Sequence, residues 1–260
     1  MMPPVLPDSP VAAQIAPSPN HGERRKGRRP DMLLLHYTGM PDAPQALEWL
    51  CDPASEVSAH YFVFENGDVT QLVPEARRAW HAGAGCWNEE ADINSCSIGI
   101  EIANPGHDGG LPPFEEAQIA GVIALARDVL ARWGIAPDRV LAHSDVAPGR
   151  KQDPGERFPW ERLHRAGIGH WVPPAPVRDG RFVSRGDQGL SVAAAQAMFS
   201  LYGYGVPLTD VFDEATEAVV AAFQRHFRPE HVDGIADVST IRTLRELIAF
   251  RPDGGRMTKS

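Results

Sequence analysis

The sequence contains few cysteines, since only Cys51, Cys86 and Cys96 occur among its 260 residues. Their number is odd and none stands in a C-x-x-C pair, so nothing indicates a disulfide framework or a cysteine-rich zinc site. One pair could still form a bridge in an oxidising compartment. The sequence therefore leaves both the redox state of the cysteines and the compartment open.

Long hydrophobic runs and an excess of positive charge are also missing. No apolar segment approaches the roughly 18 residues that span a bilayer. The first 20 residues, MMPPVLPDSPVAAQIAPSPN, hold no hydrophobic stretch of signal-peptide length, so no secretory signal is readable. The formal net charge is −9. Electrostatics therefore gives no support for a nucleic-acid partner, and the composition favours a chain without a transmembrane segment.

What the sequence does contain is a loop rich in proline, glycine and polar side chains at Leu141–Trp160, LAHSDVAPGRKQDPGERFPW. It holds His143 and Asp153, with Lys151 two positions before the aspartate. Such a loop carries polar groups where the fold directs them to a site. A catalytic zinc takes three protein ligands and keeps one position open, and His36 is a candidate third ligand. A lone histidine at the end of a strand is also commonly structural, so spacing alone leaves the ligand set open.

Strand and helix patterns alternate through the first two thirds of the chain. The predicted strands are Met32–Tyr37, Ser97–Ala103 and Val140–Ala142, a hairpin spans His60–Gln71 around Asn66-Gly67, and helices cover Ala43–Cys51, Pro113–Trp133 and Glu161–Ala166. Gly134 is predicted to cap the long helix. Strands interleaved with helices predict an α/β (α+β) domain with a central mixed β-sheet flanked by helices.

Glu101 lies among isoleucines in the predicted strand SIGIEIA. Burying a carboxylate costs on the order of a few kcal/mol unless it is paired or binds a ligand. Glu101 is therefore either a residue of a functional site or one half of a structural ion pair.

A proline-rich stretch, WVPPAPVRDG at Trp171–Gly180, divides the chain and is predicted to be a semi-rigid spacer with few contacts across it. Three short helices are predicted beyond it, at Leu190–Tyr202, Asp213–Phe227 and Ser239–Phe250. The predicted organisation is an irregular lead over residues 1–22, an α/β domain over 23–168, a linker over 169–182, a small three-helix domain over 183–250 and a flexible tail over 251–260.

Five segments together resemble the zinc-dependent N-acetylmuramoyl-L-alanine amidases of the amidase type 2 family. They are HYTGM, SAHYFVFENGDVTQLV, RAWHAG, NSCSIGIEIAN and HSDVAPGRKQDPGERFPW, which cover roughly residues 20–166 in unbroken order. The C-terminal part resembles the three-helix peptidoglycan-binding module, through TEAVVAAFQRHF and Val232-Asp233-Gly234 among other segments. Asp210 departs from that module's pattern, which often has glycine there, and this puts the local turn in doubt.

The resemblance implies a role for each candidate residue. One zinc ion per chain would be held by His36, His143 and Asp153, with Glu101 as the catalytic carboxylate and Lys151 as the partner of the oxyanion. Trp80, His81 and Asn104 are expected to bind substrate, although Trp80 suits a core position equally well.

The implied activity is hydrolysis of the amide bond between N-acetylmuramic acid and L-alanine, in cell-wall degradation, turnover or recycling. A non-catalytic peptidoglycan-recognition protein and a zinc peptidase cutting within the stem peptide are the alternatives. The expected partner is peptidoglycan or muropeptides, and the expected state is a monomer. The peptidoglycan-binding module favours the periplasm or cell envelope, with the cytoplasm as the alternative. Preference for intact peptidoglycan or 1,6-anhydro fragments is left open.

Overall fold

The computed structural model describes residues 6–252. Its strands are β1 (Gln14–Ile15), β2 (His21–Glu23), β3 (Met32–Tyr37), β4 (Tyr61–Val63), β5 (Val69–Gln71), β6 (Arg77–Ala79), β7 (Ser97–Ile102) and β8 (Val140–Ala142). Its helices are α1 (Ala43–Cys51), α2 (Ile93–Cys96), α3 (Glu116–Trp133), α4 (His143–Val146), α5 (Trp160–Arg165), α6 (Leu190–Tyr202), α7 (Glu214–Phe227) and α8 (Val238–Ala249). The predicted hairpin, the predicted strands and the three C-terminal helices are therefore all present, within one to three residues of their expected bounds.

A six-stranded mixed sheet in the order β1-β5-β4-β7-β3-β8 forms the centre of the first domain, as predicted. The apolar run of β3 is buried because β7 and β8 pair with it in parallel on either side. Helix α3 buries one stripe of side chains against this sheet and ends where Gly134 adopts a left-handed conformation (φ 67°). It begins at Glu116, three residues later than predicted, since the Pro112-Pro113 pair and Glu115 keep the chain extended.

The N-terminal segment is more regular than predicted. Strand β1 pairs in parallel with β5, and β2 pairs antiparallel with β6. Backbone hydrogen bonds hold the first pair, with Ala13 N 3.0 Å from Val69 O and Ala16 N 2.9 Å from Gln71 O. Strands of two and three residues carry no hydrophobic pattern, so their long-range partners define them. Residues 1–5 of the predicted lead lie outside the described residues.

Helices α6, α7 and α8 form the small C-terminal domain. Asp213 caps α7 and Asp237 caps α8, each accepting a hydrogen bond from a backbone N–H in the first turn. Within residues 6–252, none of the helices combines the length and apolar character needed to cross a bilayer. Most of the predicted flexible tail, residues 253–260, lies outside the described part of the chain.

The prediction of few contacts between the two domains is wrong. One hydrophobic cluster contains Met32, Leu34, Trp87, Ile93 and Val146 from the first domain and Phe199, Tyr202, Tyr204, Phe223 and Phe227 from the second. The Trp87 ring is fully buried, 4.9 Å from the Tyr204 ring centroid. The predicted spacer packs along α8, where Ala175 N donates to Thr243 Oγ1 at 2.9 Å. The prolines therefore fix an extended path over the surface of the C-terminal domain and do not separate the domains.

Candidate metal centre

Three parallel strands end at the same edge of the sheet and bring the predicted site residues together. The register of β3 and β7 pairs His36 directly with Glu101. Strand β8 lies on the other side of β3 and ends at Ala142, so His143 follows immediately beside His36. The loop after α4 returns Asp153 to the same point, and its carbonyl accepts a hydrogen bond from Ser144 N at 3.0 Å. Sheet topology therefore brings His36, Glu101 and His143 together, and the loop adds Asp153.

His36, His143 and Asp153 form a compact, buried triad. The Nδ1 atoms of His36 and His143 lie 2.9 Å apart. Asp153 Oδ2 lies 3.0 Å from His36 Nδ1 and 2.9 Å from His143 Nδ1. All three residues are at most 5% exposed. Among the described residues, this is the cluster of His, Cys, Asp or Glu whose donor atoms converge closely enough to hold a metal ion.

The hydrogen bonds behind the triad determine which ring nitrogens carry protons. His143 Nε2 lies 2.9 Å from Ala82 O and must donate to it, so its Nδ1 has a free lone pair. Ser97 Oγ uses its single O–H to donate to Ile93 O at 2.6 Å. It can therefore only accept from His81 Nε2, 3.2 Å away. His81 Nδ1 is then an acceptor for His36 Nε2 at 3.0 Å, which leaves a lone pair on His36 Nδ1.

Three acceptor atoms thus face one another with no proton between them, an arrangement that a cation would stabilise. Two imidazole nitrogens and one carboxylate oxygen are ligands that zinc prefers, and three such ligands leave a fourth position open. Bonds of about 2.0–2.1 Å in a tetrahedron give ligand separations of about 3.3 Å, close to the observed 2.9–3.0 Å. The residues present fit a zinc ion.

Burial and neighbouring groups lower the pKa values of His36, His81 and Asp153. Burial, reinforced by His143, lowers the pKa of His36 to about 4. Burial also holds the pKa of His81 well below its usual value, with His36 next in importance. Burial is the largest single effect on Asp153 and acts in the opposite direction, but His143 and His36 together outweigh it and keep the pKa of this carboxyl below its ordinary value. Protons therefore compete weakly for His36 and Asp153 at neutral pH.

Glu101 and Lys151 line the same cavity as the triad. Burial raises the pKa of Glu101 well above its ordinary value, and Asp153 adds to this effect while Lys151 opposes it. Glu101 Oε2 is buried and has no hydrogen-bond partner among residues 6–252. A bound cation would act in the same direction as Lys151 and favour the carboxylate. The side chain is thus placed to exchange protons with a molecule in the cavity, and it makes no structural ion pair there.

The cavity has a volume of about 330 Å³, within the range of small-ligand sites. Trp80 lines it and is partly exposed, whereas His81 also borders it but is held behind His36. Asn104 does not line the cavity, because its side chain is held by the turn that follows. Its Nδ2 donates to Pro112 O at 3.0 Å, and its Oδ1 accepts from Gly106 N at 2.9 Å. The structure therefore brings Trp80, but not Asn104, to the cavity.

Sequence reasoning missed the residues that support the triad from behind. Ser97 orients His81, and Arg150 Nη2 donates to the carbonyls of Ala82 and Ala84, which fixes the acceptor of His143. Gly99 makes room for this arrangement, since a Cβ there would lie 2.5 Å from His81 Cγ. A glycine inside the predicted strand SIGIEIA is a sequence signal that another group packs closely against the backbone there.

Two family models match the chain. The model of the N-acetylmuramoyl-L-alanine amidase family matches residues 26–156, which include the triad, Glu101 and Lys151. A peptidoglycan binding domain model matches residues 188–244, which include α6, α7 and most of α8.

Individual relatives agree with both matches. The N-acetylmuramoyl-L-alanine amidase AmiD of Escherichia coli is 40% identical over 222 residues, 80% of this chain and 79% of AmiD. Its structure with anhydro-N-acetylmuramic acid-L-Ala-D-gamma-Glu-L-Lys superimposes with a TM-score of 0.73, at 38% identity, over 87% of this chain and 91% of that one.

Two further relatives differ in how much of the chain they match. AmpDh3 of Pseudomonas aeruginosa, in complex with anhydromuramic pentapeptide, gives a TM-score of 0.69 at 34% identity over 85% of this chain and 92% of that one. The 1,6-anhydro-N-acetylmuramyl-L-alanine amidase AmpD of Enterobacter cloacae is 32% identical over 59% of this chain and 89% of its own length. The chain therefore belongs to the N-acetylmuramoyl-L-alanine amidase family and is an amide hydrolase with a C-terminal peptidoglycan-binding domain.

Proposed function

We propose that the protein is a zinc hydrolase that cleaves the bond between N-acetylmuramic acid and L-alanine in peptidoglycan or muropeptides. One zinc ion per chain would be held by His36 Nδ1, His143 Nδ1 and Asp153 Oδ2. The observation that carries this proposal is the convergence of these three unprotonated acceptors within 2.9–3.0 Å of one another. A zinc ion bound there would supply Lewis-acid chemistry, which lowers the pKa of a water molecule and polarises a carbonyl.

The remaining chemistry belongs to two side chains of the cavity. Glu101, as the carboxylate, takes a proton from the attacking water and returns it to the amine of L-alanine as the C–N bond breaks. Lys151 contributes positive charge to the oxyanion of the tetrahedral intermediate. Trp80 presents an aromatic surface at the cavity wall, which suits packing against a sugar ring.

Muropeptides are the proposed soluble substrate, since the structures of AmiD and AmpDh3 that superimpose on this chain hold anhydromuramyl peptides. The peptidoglycan-binding domain supports action on the polymer as well, because attachment raises the local concentration of cleavable bonds. We therefore place the protein in the periplasm or cell envelope, and we propose separately that it acts as a monomer.

Product analysis tests this function. Purified muropeptides and sacculi are digested, and mass spectrometry should identify free L-alanyl peptides and intact muramyl sugars. Cleavage within the stem peptide would identify a zinc peptidase, and binding without cleavage would identify a recognition protein.

Metal analysis tests the ligand set separately. His143→Ala and Asp153→Asn should lose bound zinc and activity, and Asp153→Asn does so without a change of volume. His231→Ala is the matched control, because His231 lies on the surface of the C-terminal domain and pairs with Asp233. Full zinc occupancy in His143→Ala would refute the assignment.

A further inference from the structure

Helix α7 of the C-terminal domain packs against the loop that carries two of the proposed zinc ligands. The loop runs from His143 to Asp153, and a single helical turn, α4 (His143–Val146), is its only α-helix. The rest contains Pro148 and Gly149 and depends on contacts with other parts of the chain for its conformation. α7 supplies such contacts at two places within the loop and at a third just after it.

The first contact is at Asp145, two residues after His143. Its carboxylate is fully buried and accepts three hydrogen bonds. Ala142 N (2.8 Å) and His226 Nδ1 (2.7 Å) donate to Oδ2, and Tyr204 Oη (2.6 Å) donates to Oδ1. Two of these three donors belong to the C-terminal domain. The turn that begins with a zinc ligand is therefore anchored mainly by the other domain.

His226 is itself held in a fixed orientation. Its ring stacks on Trp160 of the first domain at 3.7 Å between centroids, and on its neighbour Phe227 at 3.8 Å. Only the Nδ1–H tautomer, or the imidazolium, can donate to Asp145. The stacked ring and the hydrogen bond together determine where Asp145, and with it the start of the loop, can lie.

The second contact is at the middle of the loop. Gly149 adopts φ 77°, and a Cβ built there would approach Ala218 Cβ of α7 to 3.3 Å. The small side chain of Ala218 and the glycine thus allow helix and loop to meet closely. A larger residue at either position would push the loop away from the helix.

The third contact follows the loop. Glu156 Oε2 lies 3.8 Å from Arg225 Nε of α7 and 3.0 Å from His107 Nε2. His107 Nδ1 lies 3.0 Å from Tyr37 Oη, one residue after His36. Contacts with α7 therefore occur at two places within the stretch that separates His143 from Asp153 and at one place just after it.

We propose that the C-terminal domain is a positioning element of the zinc site. Asp145, held by Tyr204 and His226, fixes the turn that presents His143, so the domain contributes to zinc affinity and to turnover of small substrates. This inference rests on the proposed role of His143 as a zinc ligand. Residues that orient metal ligands from behind typically change metal affinity about 10–100-fold when mutated. A domain that only tethers the enzyme to polymer would leave zinc affinity unchanged.

The test compares full-length variants in three assays: zinc affinity by chelator competition, hydrolysis of a soluble muropeptide, and binding to sacculi. Tyr204→Phe removes one hydroxyl from Asp145 and keeps the ring against Trp87. His226→Leu removes the second donor, whereas His226→Asn keeps an N–H near the position of Nδ1. We expect Tyr204→Phe and His226→Leu to weaken zinc affinity about 10–100-fold, with partial recovery in His226→Asn and unchanged sacculus binding.

A matched control separates positioning from general destabilisation. Gln196 is fully buried within the C-terminal domain and binds Thr209 N and Val211 O there. Gln196→Leu should lower the melting temperature of the protein while zinc affinity stays as in the wild type. Wild-type zinc affinity in Tyr204→Phe and His226→Leu, or an equal loss in Gln196→Leu, would overturn the proposal. If His143→Ala kept its zinc, the ligand assignment itself would fail, and that outcome is distinct.

Discussion

Replacing Glu101 by glutamine tests the division of roles in the site most directly. The change keeps the shape of the side chain, and Oε2 has no hydrogen-bond partner among the described residues that could be lost. Burial raises the pKa of Glu101 well above its ordinary value, so a neutral amide is easier to accommodate than a carboxylate. We therefore expect the melting temperature and the zinc content to remain as in the wild type.

Turnover should respond very differently. A positioned acid–base group contributes about 10²–10⁴-fold to rate, which corresponds to about 2.7–5.4 kcal/mol of transition-state stabilisation. Glu101→Gln removes the proton acceptor but none of the three proposed ligands, so kcat on a soluble muropeptide should fall by that factor with little change in KM.

The assay is chromatographic measurement of product release, with zinc content and melting temperature determined on the same samples. Glu65→Gln, on the exposed rim of the hairpin turn, is the control and should behave as the wild type. Activity of Glu101→Gln within a few-fold of the wild type would show that Glu101 is structural and that another base acts.

Three further outcomes are expected. Lys151→Ala should keep its zinc and lose about 10²–10³-fold in kcat, the usual effect of removing one oxyanion donor; an unchanged kcat would exclude this role. Burial, with Arg24 next to it, lowers the pKa of His60 to about 3, and protonation of its Nδ1 would oppose Gly99 N–H, 3.0 Å away. The unfolded chain takes up this proton below pH about 6.5, so the free energy of unfolding should fall there by up to about 1.4 kcal/mol per pH unit. When this free energy is measured by denaturant titration at several pH values, it should fall less steeply with pH for His60→Gln than for the wild type. A fragment ending at His170 should be poorly soluble compared with the full chain, because it uncovers Trp87, and a soluble, active fragment would contradict the shared core.

Much of the fold followed from strong local signals. The apolar run of β3, the Asn66-Gly67 turn and the capping Gly134 each predict one structure, and the structure contains all three. The predicted family, the mixed sheet with flanking helices and the amidase activity are confirmed by the comparisons and the structure. Residue roles within the site stay predictions until the variants are measured.

The features that escaped prediction depend on contacts between distant parts of the chain. Strand β1 has only two residues, so its place in the sheet is set by a partner more than 50 positions away. Tyr202 and Tyr204 suit the interior of a small helical domain, and nothing local indicates that they also cover Trp87. The orientation of His81, in the loop after β6, depends on Ser97 at the start of β7. The three cysteines are free in the structure, so the possible bridge is not formed.

The apolar contact between the domains limits how this protein can change by gene fusion or domain loss. AmpD of Enterobacter cloacae matches 59% of this chain while spanning 89% of its own length, so the family includes members of smaller size. Losing the C-terminal domain here would expose Trp87 and leave Asp145 without two donors, so several residues would have to change together. A chimera with another wall-binding domain would face the same requirement, and its new helix would need a counterpart of His226. We therefore expect the two domains to tolerate exchange only when the surface between them is exchanged as well.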